Sequence, residues 1–267
     1  MAVVSLALVL FFSLPQDTRL TNSFLSYEAP KDHELSSDPD SDFWRPARSI
    51  VLDRSILDDP DPSVRSEARS RWTKDYLYFL FWGPYDTLHL KPDPDTQHET
   101  YKLWFYDDFE LYLGANFDNI NLYGEFQVSP QSEFLDMAID ATRDKPGWND
   151  ERLWDSGMTV KSRVDTKKKV WYAEMRDPIA AIDKRPAAVG NQFRVNIYRL
   201  QSAGEGKKIH FLAWQPTGEW NPHRQKSSER CSSRVRPSRC APGGPRPLHC
   251  CGEAFNVGSS TMRSRCF

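Results

Sequence analysis

The sequence predicts an all-β fold, an antiparallel β-sandwich with one short helical turn. Short runs rich in β-branched or aromatic residues recur along the chain, and clusters of Gly, Pro, Asn or Lys separate them. Apolar and polar residues alternate within these runs, and no stretch keeps a 3.6-residue period for three turns. Many short strands without intervening helices are typical of a sandwich or a barrel.

The expected strands follow one another through the middle of the chain. The first is short, at residues 50–52, and an aromatic strand at 76–82 ends at Gly83 and Pro84. Residues 179–182, directly after Pro178, are the expected helical turn. The other expected strands are at residues 102–106, 109–113, 121–128, 134–139, 158–164, 170–175, 192–200 and 210–214.

The amino terminus has an apolar run of signal-peptide length, which is too short to span a membrane as an ordinary helix. Residues 1–23 are therefore expected to be a signal peptide, and the protein to be secreted or periplasmic without a stable membrane span. No Lys or Arg precedes the run and no clean cleavage site follows it, so a disordered terminus or a buried strand is the alternative. The sandwich is expected over residues 24–224.

Residues 225–267 differ in composition from the rest of the chain. Ser, Arg, Pro and Cys dominate, and all five cysteines of the 267-residue sequence lie there. An odd number of cysteines in one tail does not staple a folded body, and their spacing lacks the paired Cys-x-x-Cys units of zinc sites. This composition predicts a disordered tail.

Charge and aromatic content limit the partners. A formal net charge of -2 argues against nucleic acid, because phosphate binding needs a concentrated basic face. Nine of the residues are Trp, and aromatic residues make up 13% of the chain, so a sizeable core is expected. The strand pattern leaves the oligomeric state open.

Several segments read in order are similar to those of a known family. The chain resembles the carbohydrate-binding family 9-like domains of bacterial secreted proteins, which are DOMON-like sandwiches of jelly-roll type, over about 150 to 200 residues. It departs from the family at Asp177, where the usual residue is apolar. The segments that carry the resemblance are residues 69–81, 107–114, 123–130, 136–140, 170–178, 193–199 and 213–218.

The family usually ends with a strand near Phe-Gly-Thr-Leu, but residues 226–231 read Lys-Ser-Ser-Glu-Arg-Cys. The same bases read in a shifted frame can encode Lys-Val-Phe-Gly-Thr-Leu. The tail from Lys226 is therefore expected to be a frameshift product that leaves backbone groups and apolar surface without the closing strand. Resequencing the locus tests this expectation, and an intact frame would contradict it.

Sugar recognition needs flat aromatic faces and polar groups that bond hydroxyls. Asp108 and Glu110 lie two apart on one strand and so share a face, with Arg199 as their expected counter-charge; a solvated sheet face is the alternative. Trp148 and Trp171 are further candidate platforms. The expected carbohydrate-binding residues are Trp72, Trp104, Asp108, Glu110, Glu125, Trp154, Arg199, Trp214 and Gln215.

The resemblance implies a non-catalytic module that binds poly- or oligosaccharide, with no catalytic residue and no required cofactor. One alternative is a glycoside hydrolase-associated, xylanase-type protein in carbohydrate catabolism. Another is haem binding, as in some DOMON domains, for which the available ligands are Met137, Met158, Met175, His89 and His210. Calcium is the metal that the carboxylate-dense segments 38–42 and 58–61 could bind, although neither has the Gly and spacing of an EF-hand.

Overall fold

The computed structural model describes residues 23–142, 154–202, 209–223 and 247–251. These ranges contain twelve strands, one α-helical turn, α1, at Ile179–Ile182, and two 3-10 turns at Pro62–Val64 and Leu103–Phe105. The strands are β1 Ser23–Glu28, β2 Ile50–Leu52, β3 Ser66–Trp72, β4 Tyr76–Pro84, β5 Asp108–Gly114, β6 Leu122–Val128, β7 Phe134–Asp140, β8 Thr159–Asp165, β9 Val170–Pro178, β10 Gln192–Ser202, β11 Ile209–Ala213 and β12 Pro247–Cys251.

The strands form one continuous path that folds into two layers. The order along the path is β7-β6-β5-β10-β12-β1-β3-β4-β9-β8, with β11 beside β10 and β2 beside β3. We call β5, β6, β7, β10 and β11 the β5 layer, and β2, β3, β4, β8 and β9 the β4 layer. Pairing is antiparallel except between β1 and β3 and between β10 and β12, so the predicted all-β sandwich is confirmed.

The main core lies between the two layers. Alternate residues of β4, β5 and β9 face it, because successive side chains of a strand point to opposite faces. Phe81 packs on Phe109 with ring centroids 5.2 Å apart, and Phe109 packs on Trp171 at 4.6 Å. Each fully buried ring of this kind contributes about 1.5–3 kcal/mol through the hydrophobic effect.

Both outer faces of the sandwich are also covered. Residues 29–48 lie over the β4 layer, where Trp44 packs with Tyr78 and Leu80. Over the β5 layer, Ile56 and Leu103 pack on the residues that point away from the main core, among them Tyr112, Leu135, Met137, Tyr198 and Phe211. Strands buried on both faces explain why so many of their outward residues are apolar or aromatic.

The strand predictions hold over most of the sandwich, with three differences. Residues 102–106 were expected to be extended, but Leu103–Phe105 form a 3-10 turn that begins after Lys102, whose φ of 65° is left-handed. The alternation pattern indicated neither β3 nor β1, and the pairing partners of β1 are distant in sequence. The short helical turn is where it was expected, at residues 179–182.

The third difference is β12, which lies in the segment expected to be disordered. Its backbone pairs with β1 on one side and with β10 on the other. These two strands would otherwise present unpaired N–H and C=O groups, which favour the addition of any available strand. The frameshift stays a prediction, and residues 1–22 lie outside the described part of the chain.

Candidate functional site

The strand pair β5–β6 carries a polar stripe on the covered outer face of the β5 layer. Asp108 and Glu110 lie on β5, and Glu125 and Gln127 lie on β6. The register places Glu110 opposite Gln127, and alternation puts all four on the same side of the sheet. Their exposed fractions are 0%, 3%, 2% and 0%, so three carboxyl groups and an amide are buried together. We call these four residues the acidic face.

Hydrogen bonds inside the acidic face do not use all of its oxygen atoms. Gln127 Nε2 donates to Glu125 Oε1 at 2.6 Å and reaches Glu110 Oε1 at 3.4 Å. In the described part of the chain, Glu110 Oε2 and both carboxylate oxygens of Asp108 have no hydrogen-bond partner of ordinary geometry. The Leu200 N–H on β10 is the backbone donor that lies near Asp108. Proteins ordinarily pair their buried polar groups, so these oxygens make the acidic face a candidate site.

Burial and mutual repulsion control the charge of the acidic face. Burial raises the pKa of Asp108 well above its usual value, and the charges of Asp107 and Glu125 raise it further. Burial likewise raises the pKa of Glu110, with Asp108 and Glu125 adding to the effect. A carboxyl group kept neutral can donate a hydrogen bond as well as accept one.

Aromatic rings lie beside the acidic face. Tyr112, next to Glu110 along the same face of β5, stacks on Tyr123 at 5.5 Å and on His223 at 5.4 Å between ring centroids. The Tyr123 hydroxyl and His223 Nδ1 are 2.8 Å apart, and His223 Nε2 lies 3.7 Å from Glu125 Oε2. Trp104 is half-buried in the covering turn and packs against Tyr101 with centroids 5.6 Å apart.

The loop after β11 is fixed to the same face by Asn196. Its Nδ2 donates to the Gln215 carbonyl at 2.9 Å, and its Oδ1 accepts from the Gln215 N–H at 3.0 Å. The Tyr198 hydroxyl donates to the Pro222 carbonyl at 3.3 Å. These bonds hold residues 214–223 beside the acidic face, and Trp220 in this loop is 63% exposed. A half-exposed and an exposed Trp therefore lie in segments next to a buried polar stripe.

The expected pairing of Arg199 with Asp108 and Glu110 is wrong. Arg199 pairs laterally with Phe109, whereas its neighbour Tyr198 pairs with Glu110, so Arg199 points to the core side of the sheet. There it donates to the Val64 carbonyl at 3.0 Å and to Ser66 Oγ at 2.6 Å. Burial lowers the pKa of Arg199 to about 9.

Gly83 makes room for this arginine. A Cβ at residue 83 would lie 2.1 Å from Arg199 Nη1. Glycine is therefore required here by a close approach, in addition to the expected turn at the end of the strand.

Two of the expected tryptophan platforms belong to the core instead. Trp72 and Trp214 are 3% and 4% exposed and pack in the main core, where Trp214 meets Phe24 edge to face at 5.1 Å. Trp72 shares the inward face of β3 with Ala68, four residues earlier. Trp171 is also core, and Trp148 lies outside the described residues.

The remaining expected residues are divided between the two sides of the β5 layer. Trp154 is half-buried and packs on Phe126 at 6.0 Å, on the core side of β6. Five of the expected residues lie in or beside the acidic face: Asp108, Glu110, Glu125, Trp104 and, through its backbone, Gln215. Gln127, Asn196 and Tyr198 were not singled out from the sequence, because the register that aligns them with Glu110 and Tyr112 depends on strands far apart in the chain.

A second group of carboxyl groups lies where β7 and β9 face each other across the layers. Burial raises the pKa of Glu99 to about 7, and Asp136 adds to the effect. Asp136 accepts from Ser156 N at 3.2 Å, and burial raises the pKa of Asp177, whose oxygens have no partner of ordinary geometry among the described residues. The sequence showed Asp177 only as a departure from the family pattern.

The residues considered for metal and haem are dispersed. Asp58 pairs with Arg54, and Asp61 Oδ2 lies 2.6 Å from His210 Nδ1. Met137 packs on the outer side of the β5 layer, whereas Met158 and Met175 are in the main core. Over the described ranges, no three His, Cys, Asp or Glu side chains are grouped as metal ligands.

Neither a protein-family profile nor a curated protein sequence matches the chain. At least three solved structures share its fold. The first is a candidate carbohydrate-binding protein from Bacteroides uniformis, with a TM-score of 0.54 and 14% identity over 85% of this chain and 99% of that one.

The other two are carbohydrate-binding module family 9 structures from Caldicellulosiruptor kristjanssonii. One is a complex with cellotriose, with a TM-score of 0.52 and 12% identity over 73% of this chain and 85% of that one. The other is a complex with glucose, with a TM-score of 0.51 and 12% identity over 89% and 98% of the two chains. No helix within the described ranges is long and apolar enough to cross a membrane. The similarity confirms the fold expected from the sequence motifs: the chain has the β-sandwich fold of carbohydrate-binding module family 9.

Proposed function

We propose that the protein binds an oligosaccharide at the acidic face, through hydrogen bonds to sugar hydroxyls and stacking on nearby aromatic rings. The observation that supports this most strongly is the unused hydrogen-bonding capacity of Asp108 and Glu110. Both are at least 97% buried, and oxygens of both have no partner of ordinary geometry in the described structure. A ligand that supplies donors would satisfy these oxygens and remove the cost of leaving them unpaired.

A sugar hydroxyl fits this environment because it donates one hydrogen bond and accepts others. The raised pKa values of Asp108 and Glu110 favour their neutral forms, which bond a hydroxyl in either direction. The Gln127 amide lies between the two glutamates and contributes a fixed polar group of the kind that orients ligands.

Aromatic side chains supply the apolar part of the proposed contact. Trp104 and Trp220 lie in the two segments beside the acidic face, and Tyr112 lies next to Glu110 on the same side of β5. Rings that present one apolar face and keep a polar edge suit the C–H surface of a sugar. The family 9 structures with cellotriose and glucose show that proteins of this fold bind such ligands.

Calorimetric titration with soluble gluco-, xylo- and manno-oligosaccharides tests the proposal. We expect saturable binding of at least one oligosaccharide and about a tenfold loss of affinity in Glu110→Gln, since this change replaces an oxygen that accepts from a sugar hydroxyl with an NH2 group that cannot accept. Asp42→Asn, at an exposed carboxylate over the β4 layer, is the matched control and should bind as the parent does. Equal affinity in Glu110→Gln and Asp42→Asn would remove the acidic face from the binding site.

The same incubations distinguish binding from hydrolysis. We expect no release of reducing ends, because the proposed contacts hold the sugar without covalent chemistry. Release that disappears in Glu110→Gln would replace this proposal with a glycosidase, in which two carboxyl groups act as acid and as base or nucleophile. Export stays the prediction from residues 1–23 and is tested by amino-terminal sequencing of the mature protein.

A further inference from the structure

We infer that the acidic face selects a sugar with a free amino group, such as an oligomer of glucosamine, over the neutral sugar with the same ring. This inference rests on the proposed function and adds the class of sugar. It depends on Asp108 and Glu110, the two residues of the face whose oxygens have the fewest protein donors.

The protein supplies few hydrogen-bond donors to these two carboxyl groups. Gln127 Nε2 reaches Glu110 at 3.4 Å but lies closer to Glu125, at 2.6 Å. The Tyr112 hydroxyl bonds Glu110, and the Leu200 N–H is near Asp108. Arg199, the basic residue closest to them in the strand register, points to the other side of the sheet. In the described ranges, neither Asp108 nor Glu110 forms an ion pair.

The chain shows elsewhere how it completes a buried carboxylate. Glu174, on the outer face of the β4 layer, is 0% exposed and accepts from the N–H groups of Ser36 at 2.8 Å and Ser37 at 2.7 Å. Trp44 Nε1 donates to it at 3.0 Å, and His33 Nε2 lies 3.1 Å away. Asp108 is equally buried, but Leu200 N–H is the one such donor near it among the described residues, so a ligand can bring the donors that Glu174 receives from the protein.

An ammonium group matches this deficit better than a hydroxyl. It carries three N–H donors and a positive charge, whereas a hydroxyl carries one donor and no charge. Hydrogen bonds from a charged donor to a carboxylate are about twice as strong as neutral ones. A free amino group between Asp108 and Glu110 would satisfy several oxygens at once and stabilise their charged forms.

The test compares three trisaccharides by calorimetry at one pH and one ionic strength: fully deacetylated glucosamine trimer, N-acetylglucosamine trimer and cellotriose. We expect the glucosamine trimer to bind about tenfold or more tightly than either neutral trimer. Asp108→Asn and Glu110→Gln should weaken all binding, and should reduce the ratio between the amino and neutral sugars to about one. Thermal unfolding of each variant verifies that it is folded.

Asp42→Asn is the control for general attraction between a cationic sugar and an acidic protein, and it should keep the parent's ratio. A preference for the amino sugar that survives in both Asp108→Asn and Glu110→Gln would overturn the inference. Equal or tighter binding of a neutral trimer would also overturn it while leaving the proposed function in place. Binding of no sugar of any class would overturn both.

Discussion

The two outer faces of the sandwich each bury carboxyl groups under a covering segment, but they treat them differently. On the β4 layer, Glu174 receives hydrogen bonds from two backbone N–H groups and from the Trp44 ring, all on the covering residues 29–48. On the β5 layer, Asp108 and Glu110 keep oxygens without partners of ordinary geometry in the described structure. Burial is therefore the same for Glu174 and Asp108, and the supply of hydrogen-bond donors is what differs between them.

The aromatic residues over the two faces differ in the same way. Phe43, over the β4 layer, stacks on His33 at 4.2 Å and meets Trp44 and Tyr78 at 5.0 Å each. Over the β5 layer, Trp104 and Trp220 leave part or most of their surface exposed. Phe43 and Trp104 are both half-buried, so the clearest difference is between Trp44, which is fully buried over the β4 layer, and Trp220, which is 63% exposed over the β5 layer.

The largest expected effect is the loss of Glu174. Glu174→Ala leaves three N–H donors buried without an acceptor, so we expect the free energy of unfolding to fall by about 3 kcal/mol or more. Denaturant unfolding at neutral pH measures it. In contrast, Glu110→Gln should leave stability unchanged or raise it, because that carboxyl has few partners to lose. Similar losses in the two variants would end the distinction between the two faces.

The pH dependence of stability should come chiefly from carboxyl groups in and around the β5 layer. Burial raises the pKa of Asp107 from 3.8 to about 6 and that of Glu99 from 4.5 to about 7. Between the ordinary pKa of each group and its raised value, the folded state binds more protons than the unfolded state. Stability therefore falls as pH rises from about 4 to about 7. We expect a loss of about 3 kcal/mol by pH 8 from Asp107, and a smaller addition from Glu99 because its partial exposure screens the effect.

A double variant assigns part of this pH dependence to the acidic face. Asp108→Asn with Glu110→Gln removes two carboxyl groups whose pKa values burial raises, so the fall in stability toward high pH should become smaller. Urea unfolding at pH 5 and at pH 8 measures the change. A pH profile identical to that of the parent would place the titrating groups elsewhere.

The smallest expected effect on folding, but a clear one on binding, is at Trp104. Trp104→Ala should lower oligosaccharide affinity about tenfold, while its partial exposure limits the loss of stability to about 1 kcal/mol. Phe43→Ala, the matched change over the β4 layer, should reduce stability more and leave affinity unchanged. Calorimetry and denaturant unfolding of both variants give the comparison, and equal affinities would exclude Trp104 as a platform.

Local patterns predicted the strands well because period-two alternation and turn residues act over a few neighbouring positions. They failed where contacts between segments distant in sequence decide the local structure. The run at residues 102–106 alternates like a strand, but Leu103 is drawn into the cover over Tyr112 and forms a 3-10 turn. The sequence indicated Trp72, Trp104 and Trp214 alike as platforms, and only the packing of the layers places Trp72 and Trp214 in the core.

The sequence by itself determined the all-β class, the order of the strands and the shared face of Asp108 and Glu110, because these follow from chain-local periodicity. Only the tertiary structure decided which side of the sheet Arg199 takes, which donors reach Glu174 and which carboxyl groups remain without donors. Those outcomes depend on the register of strands that are distant in sequence and on the segments that fold over them. The acidic face is therefore a product of tertiary pairing, built from residues whose types the sequence already showed.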